Sequence, residues 1–190
     1  MLLKDLFHQY PFPADFQEVC ASSGIHELFP PQAQAVKHGA LEGKNLLMAV
    51  PTAAGKTFIA ELCMLQAFFQ EKGKSLYIAP LKALASEKFH DFKKRYSPLG
   101  LQVGLLTGDE GARKLPLNRY DILIATAEKI DAVMRTQTRW SPASLRVIIF
   151  DEIHFLNDAS RGPTLEILIT RLRMMNPKAQ VLALSATVQN

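Results

Sequence analysis

Three observations predict an α/β fold with a mostly parallel sheet covered by helices on both faces. The strand-length apolar runs, Leu46–Ala49, Leu76–Ala79, Leu145–Phe150 and Val181–Leu184, are nearly continuous rather than alternating. That is the pattern of strands buried on both faces. Segments of helical periodicity alternate with these runs, giving a β-α-β-α order. The 190 residues, 48% hydrophobic, suit one domain with a sizeable core.

Residues 1–31 read as a lead-in segment that packs against a main domain spanning 32–190. Pro11, Pro13, Pro30 and Pro31 break it up. A short helix is expected over Asp15–Ser23, with Phe16, Val19 and Cys20 on one face and Gly24 as its cap. Pro31 stands in the first turn of a second helix reaching about Leu41, and Gly43 ends that unit. A strand follows at 46–49 and a buried helix over Phe58–Leu65. Ser75–Ala79 is a strand, and Lys82–Tyr96 an amphipathic helix with Leu84, Ala85, Phe89, Phe92 and Tyr96 at three-to-four spacing. Strands are expected at Gln102–Leu106 and Asp121–Ala125. The helix Thr126–Arg135 turns Ile130, Val133 and Met134 inward, with Thr126 placed to cap it. The strand Leu145–Phe150, the helix Pro163–Met175 and the strand Val181–Leu184 complete the order. The least ordered stretches are expected at Gly108–Arg119 and Thr136–Pro142. No internal repeat or low-complexity segment occurs.

The net charge of +4 and the pI near 9.1 permit a nucleic-acid partner without requiring one. Two basic clusters, Lys93-Lys94-Arg95 and Arg171 with Arg173, read as solvated helix faces. Cys20 and Cys63, far apart in helix-like segments, read as reduced core thiols. Two cysteines and five scattered histidines give no zinc-site spacing. Trp140 reads as a packing residue rather than a base-stacking one. No apolar run reaches the about 18 residues that span a membrane, and the N-terminus lacks a signal peptide's long apolar stretch. A cytoplasmic, monomeric protein is the expectation.

The chemistry concentrates between Val50 and Thr57. The segment Val50-Pro51-Thr52-Ala53-Ala54-Gly55-Lys56-Thr57 lies between an apolar strand and a buried helix. Strand, small-residue turn, Gly-Lys-Thr and helix form the context of a P-loop. The residue types suit a triphosphate. A helix N-terminus supplies N–H groups and a positive dipole end, and Ala53, Ala54 and Gly55 let the backbone wrap the phosphates. Lys56 reaches the β/γ-phosphates and Thr57 offers its hydroxyl to Mg²⁺. Val50 departs from the glycine that usually opens the loop. The bland alternative is a small-residue turn with an incidental lysine. Against it stands Asp151-Glu152, directly after the apolar strand Leu145–Phe150. A carboxylate there lies at the ligand edge of an open α/β sheet. P-loop NTPases use such an aspartate to hold Mg²⁺, and the adjoining Glu152 can orient or deprotonate a water. The two together point to an ATPase.

Asp151-Glu152-Ile153-His154 resembles motif II of the superfamily II DExH-box helicases, and Ser185-Ala186-Thr187 resembles their motif III. Leu28-Phe29-Pro30-Pro31-Gln32 resembles the Q-motif region of the Ski-type branch. Ala79-Pro80-Leu81-Lys82-Ala83-Leu84 resembles motif Ia, and Thr107-Gly108-Asp109 motif Ib. Ala125-Thr126-Ala127-Glu128-Lys129 and Arg161-Gly162-Pro163-Thr164-Leu165-Glu166 resemble further segments of that branch. The archaeal HelQ-like DNA helicases are the nearest resemblance, in register from about Gly24 to Asn190. It implies a RecA-like P-loop domain and ATP-driven 3′-to-5′ unwinding of single-stranded or forked DNA in repair of stalled forks. The cofactors implied are ATP and Mg²⁺. Gln32 would read adenine, whose N6/N7 edge suits a bidentate amide. Residues 50–57 would hold ATP, Thr57 and Asp151 the Mg²⁺, and Lys56, Asp151 and Glu152 would carry catalysis. His154 would couple the ATP site to Ser185 and Thr187. Pro80, Lys82, Thr107, Gly108, Thr126, Arg161 and Gly162 would grip the nucleic-acid backbone. Lys82, Thr126 and Gly162 stand near helix starts, which suit phosphates without reading sequence. Thr126 taken alone is equally a simple N-cap.

The resemblance also implies a second RecA-like domain, carrying arginine fingers, beyond Asn190, and further domains of a longer product. Such fingers are worth ~10³–10⁵ in turnover. The 190 residues are therefore expected to hydrolyse ATP barely. Three other readings stay open at this point: an RNA helicase of the same branch, a nucleotide-binding scaffold without motor activity, and a small-molecule P-loop kinase. Intact Lys56, Asp151 and Glu152 count against the scaffold, and the lack of a lid or acceptor site counts against the kinase.

Overall fold

The computed structural model describes residues 1–51, 54–108, 116–136 and 140–186. Thr52, Ala53 and Thr187 lie outside the described residues, as do 109–115 and 137–139 within the two stretches expected to be least ordered. The helices are α1 (Leu3–Gln9), α2 (Ala14–Ser22), α3 (Pro30–Lys37), α4 (Lys56–Glu71), α5 (Lys82–Tyr96), α6 (Ala127–Thr136) and α7 (Gly162–Met175). The strands are β1 (Leu46–Ala49), β2 (Lys74–Ala79), β3 (Val103–Leu106), β4 (Ile122–Thr126), β5 (Leu145–Phe150) and β6 (Gln180–Ser185).

The six strands form one sheet in the order β1-β6-β5-β2-β4-β3, every pairing parallel. Side chains alternate across a strand, so each central strand feeds two cores. In β2, Tyr77 and Ala79 face a core shared with α1 to α5, while Leu76 and Ile78 face one shared with α6 and α7. In β5, Val147 and Ile149 join the first core, Ile148 and Phe150 the second. Burial on both faces is why β2 and β5 read as continuous apolar runs; the edge strand β1, expected to be buried too, exposes Leu47 and Ala49. Trp140 lies buried in the second core, the packing role its sequence context suggested. Cys20 and Cys63 are free and buried in the first, their thiols pushed up to about 12 by burial.

Several boundaries differ from the sequence expectation. The helix α1 was not anticipated; it is seven residues long, and its start is tied down by Leu3 donating its N–H to the His26 carbonyl. Leu3, Leu6, Tyr10, Phe12 and Phe16 of this N-terminal segment join the same core as α4 and α5. The helix α3 ends at Lys37 rather than about Leu41, because Gly39 turns left-handed (φ +92°) and a 3-10 turn, Ala40–Glu42, follows. A 3-10 turn at Ile153–Asn157, also unanticipated, carries the chain from β5 toward α7.

The basic clusters are not simply solvated faces. Arg95 leaves α5 to meet Glu61 of α4, with Nη1 and Nη2 donating to the carboxylate at 2.7 and 2.9 Å. The Tyr96 hydroxyl donates to the same carboxylate. Glu61 is only 2% exposed. Burial pushes its carboxyl pKa upward, and the Arg95 charge and the two donors oppose that push. Arg171 of α7 likewise reaches Asp131 of α6 at 2.8 Å.

Candidate nucleotide-binding site

In an open parallel sheet, ligands gather beyond the carboxyl ends of the strands. β1, β6, β5 and β2 bring Val50, Ser185, Asp151 and Pro80 to that edge. After β1 the chain reaches Gly55, whose φ of +73° is left-handed. A Cβ there would also overlap the Gln32 amide nitrogen, so glycine is required twice over. α4 starts at the next residue, and its N-cap offers no side chain to cap the first-turn N–H groups. That is the arrangement a phosphate group needs.

Lys56 is 4% exposed. Its Nζ donates to the Val50 carbonyl at 3.1 Å and lies 3.8 Å from Glu152 Oε1. Val50, the departure from the common loop pattern, thus takes part through its backbone, which any residue supplies. Thr57 Oγ1 accepts from Lys88 Nζ at 3.5 Å.

Asp151 leaves the end of β5 with its N–H on the Ile78 carbonyl. Its Oδ2 accepts from the Tyr77 hydroxyl at 2.6 Å, and its Oδ1 from the Glu152 N–H at 3.0 Å. Burial, reinforced by the Asp151 charge, raises the Tyr77 pKa well above its ordinary value, so this phenol is the donor. Glu152 has a left-handed backbone (φ +50°), a strained state for a residue with a side chain. The turn swings its carboxylate away from that of Asp151. Glu152 Oε2 accepts from the Ala186 N–H at 3.3 Å and lies 3.2 Å from His154 Nδ1.

The structure therefore brings Lys56, Thr57, Asp151, Glu152 and Gln32 into one connected group. Gln32 Nε2 donates to the Gly55 carbonyl at 2.9 Å, and Oε1 accepts the Phe29 N–H at 2.8 Å. An amide has two donors and two acceptor sites, so each end of Gln32 keeps one for a further partner. His154 is exposed and lies 3.2 Å from Glu152, whose carboxylate also accepts the Ala186 N–H. The Ser185 carbonyl accepts the Val50 N–H, tying β6 to the loop.

The candidate nucleic-acid residues spread along the rest of the edge. Pro80 and Lys82 follow β2, Thr126 ends β4, and Thr107 and Gly108 follow β3. The exposed Lys82 side chain lies against Gly108, where a Cβ would come within 3.0 Å of its Cε and Nζ. Thr126 and Gly162 are buried, so they can offer a strand only backbone groups. Arg161 stacks its guanidinium on Phe155, 5.2 Å from the ring centroid, and Phe155 in turn stacks on His154. Gly162 opens α7, where a Cβ would overlap the Leu156 carbonyl.

The sequence reading missed Tyr77 and Glu61. Both had a signal: a hydroxyl and a carboxylate inside otherwise apolar runs, each of which needs a partner when buried.

Among the described residues, no cluster of three or more His, Cys, Asp and Glu side chains is arranged to hold a metal. Thr57 and Asp151 supply only two side-chain ligands, the latter held by Tyr77. That set fits Mg²⁺, which takes one or two protein oxygens, keeps several waters and binds substrate phosphates. Among the described residues no helix is long and apolar enough to cross a membrane.

An all-parallel sheet with a phosphate-type loop after β1 and an acidic pair after β5 defines a P-loop nucleotide-binding domain of the RecA-like helicase type. Comparison with known proteins agrees. The DEAD/DEAH box helicase family model matches residues 29–190, and the chain belongs to that family. It is 47% identical over 182 residues to the ATP-dependent DNA helicase Hel308 of Methanocella arvoryzae, covering 94% of this chain and 24% of that protein. Against Hel308 of Thermococcus kodakarensis the identity is 46%, covering 96% of this chain and 16% of that protein. The chain thus spans a quarter or less of these curated relatives. Among solved structures, Mycobacterium smegmatis Lhr, bound to single-stranded DNA and AMP-PNP, superposes with a TM-score of 0.78 at 30% identity, covering 94% of this chain and 25% of that one. The helicase MrfA superposes with a TM-score of 0.83 at 24% identity, covering 95% and 30%, a likeness of fold.

Proposed function

We propose that this chain is the first motor domain of an ATP-dependent DNA helicase of the HelQ-like, Ski-type branch, a 3′-to-5′ translocase acting on single-stranded or forked DNA in repair. The observation that carries the reading is the junction of Lys56, at the start of α4, with Glu152 and Asp151 at one sheet edge. The DNA assignment is supported by the names of the Hel308 relatives and by the single strand held by Lhr. The small share of each relative that the chain covers supports a second RecA-like domain and further domains in the working protein. A cytoplasmic monomer, nearly inactive in hydrolysis without that second domain, belongs to the same proposal.

In this reading the first-turn N–H groups of α4 and the Lys56 ammonium bind the triphosphate. Lys56 exchanges the Val50 carbonyl and Glu152 for phosphate oxygens. Thr57 and Asp151 would hold Mg²⁺, which would supply positive charge to the phosphate oxygens. Gln32 uses its remaining donor and acceptor on the adenine edge while its other two stay on Gly55 and Phe29. Released from Lys56, Glu152 keeps Ala186 and His154 as anchors and orients the attacking water or takes its proton. Lys82, Gly108 and the backbone at Thr126 and Gly162 grip the strand, and Pro80, Thr107 and Arg161 line its path.

Three variants test the reading. Lys56→Ala is expected to abolish nucleotide binding by calorimetry with the fold intact by circular dichroism. Asp151→Ala is expected to weaken Mg-ATP binding. Glu152→Gln is expected to bind Mg-ATP and turn over very slowly in the longer protein, because its interaction belongs to the transition state. Unchanged ATP affinity in Lys56→Ala would refute the site. Parental turnover in Glu152→Gln would refute the division of labour. Competition between matched DNA and RNA strands separates a DNA from an RNA motor.

A further inference from the structure

We infer that Tyr77 is a positioning residue for the metal half of this site, aligning the Asp151 carboxylate through its hydroxyl. The inference rests on the nucleotide-binding reading proposed above. Tyr77 lies in the middle of the sheet, on β2, and its side chain has no solvent exposure. Its ring is clamped edge-on by Phe92 of α5, with centroids 5.6 Å apart and planes at 90°. The hydroxyl is therefore delivered to one place by packing on a rigid strand. There it donates to Asp151 Oδ2 at 2.6 Å, the length of a strong hydrogen bond to a carboxylate.

The Asp151 carboxylate is held at both ends. The Tyr77 hydroxyl holds Oδ2 and the Glu152 N–H holds Oδ1, so the carboxylate cannot rotate. Each oxygen keeps a lone pair for a cation. Phenylalanine at 77 would fill the same volume and keep the Phe92 contact, yet leave Oδ2 unheld.

The experiment is calorimetry of ADP binding with and without Mg²⁺ on the parent chain, on Tyr77→Phe and on Asp151→Asn, alone and combined. The parent is expected to bind ADP more tightly with Mg²⁺ than without. Tyr77→Phe is expected to reduce that Mg²⁺ enhancement about tenfold, the effect of losing one hydrogen bond to a charged group. Its Mg²⁺-free ADP affinity should stay that of the parent. In the Asp151→Asn background the Tyr77→Phe effect on Mg²⁺ should largely vanish, because the hydroxyl acts through that carboxylate. A Tyr77→Phe chain that merely melts lower while keeping the full Mg²⁺ enhancement would overturn the inference, leaving Tyr77 a structural residue. A parent chain that binds no ADP, or binds it indifferently to Mg²⁺, would overturn the nucleotide-site reading and this inference with it.

Discussion

Arg95→Met isolates the contact between α4 and α5. It removes both guanidinium hydrogen bonds, at 2.7 and 2.9 Å, from a carboxylate that is 2% exposed. Breaking a buried pair by deleting one partner costs about 3–5 kcal/mol, since the remaining charge is left uncompensated. The Arg95 side chain is itself 31% exposed. That places the expected loss at the low end, about 3 kcal/mol at neutral pH. For a chain of this length the loss lowers Tm by about 6–12 °C. The pH dependence carries the diagnosis. Without Arg95, burial raises the Glu61 pKa further above its unfolded value, and Glu61 folds as the neutral acid with Tyr96 as its companion. A group with a raised folded pKa stabilises the fold most below its unfolded pKa, and that contribution is lost as pH rises through the folded pKa. The deficit of Arg95→Met against the parent should therefore be small near pH 5 and grow toward pH 8. Adding Glu61→Leu should restore most of the loss, because an apolar side chain leaves no charge to bury. Thermal melts of the three chains across that pH range read all of this. A loss below about 1 kcal/mol at neutral pH, or one independent of pH, would show that Arg95 and Glu61 behave as an exposed pair.

Two further outcomes are expected. Gln32→Ala should narrow the preference for ATP over GTP while triphosphate binding persists; unaltered base preference in a competition assay would leave Gln32 only its bond to Gly55. Gly162→Ala should destabilise the chain by about 1–3 kcal/mol in denaturant melts, since a Cβ there overlaps the Leu156 carbonyl and the backbone must shift.

The helix α5 was legible to the residue, Lys82–Tyr96, because its apolar side chains repeat at helical spacing and Pro80 precedes it. The phosphate-type loop and the acidic pair were legible for a different reason: their chemistry restricts the residue types. The helix α1 was not, since a seven-residue helix held by a bond to His26 has little local signal. The partners of Glu61 and Tyr77 were hidden by distance along the chain. A buried polar atom announces that a partner exists, and only the packing of α4, α5 and β2 says which. The left-handed turn at Glu152 is of the same kind. It follows from where Lys56, His154 and the Ala186 N–H stand, and the residue itself does nothing to favour it.

The strand order has a mechanical consequence. Val50, Ser185 and Asp151 stand at the carboxyl ends of β1, β6 and β5, while Lys82, Thr126 and Gly108 stand at those of β2, β4 and β3. The candidate fuel end and the candidate track end thus divide one edge, with the boundary at the β5–β2 seam. Strands lie ~4.8 Å apart, so the whole edge is ~24 Å wide. A hydrogen-bonded parallel sheet packed on both faces does not stretch by ångströms. If binding at one end is to be felt at the other, the sheet must serve as the fixed plank and the parts standing on it must tilt. The candidates are those that cross the seam: Tyr77, which rises from β2 to the carboxylate after β5, and α5, which starts beside Gly108 and is anchored near its far end to α4 by Arg95.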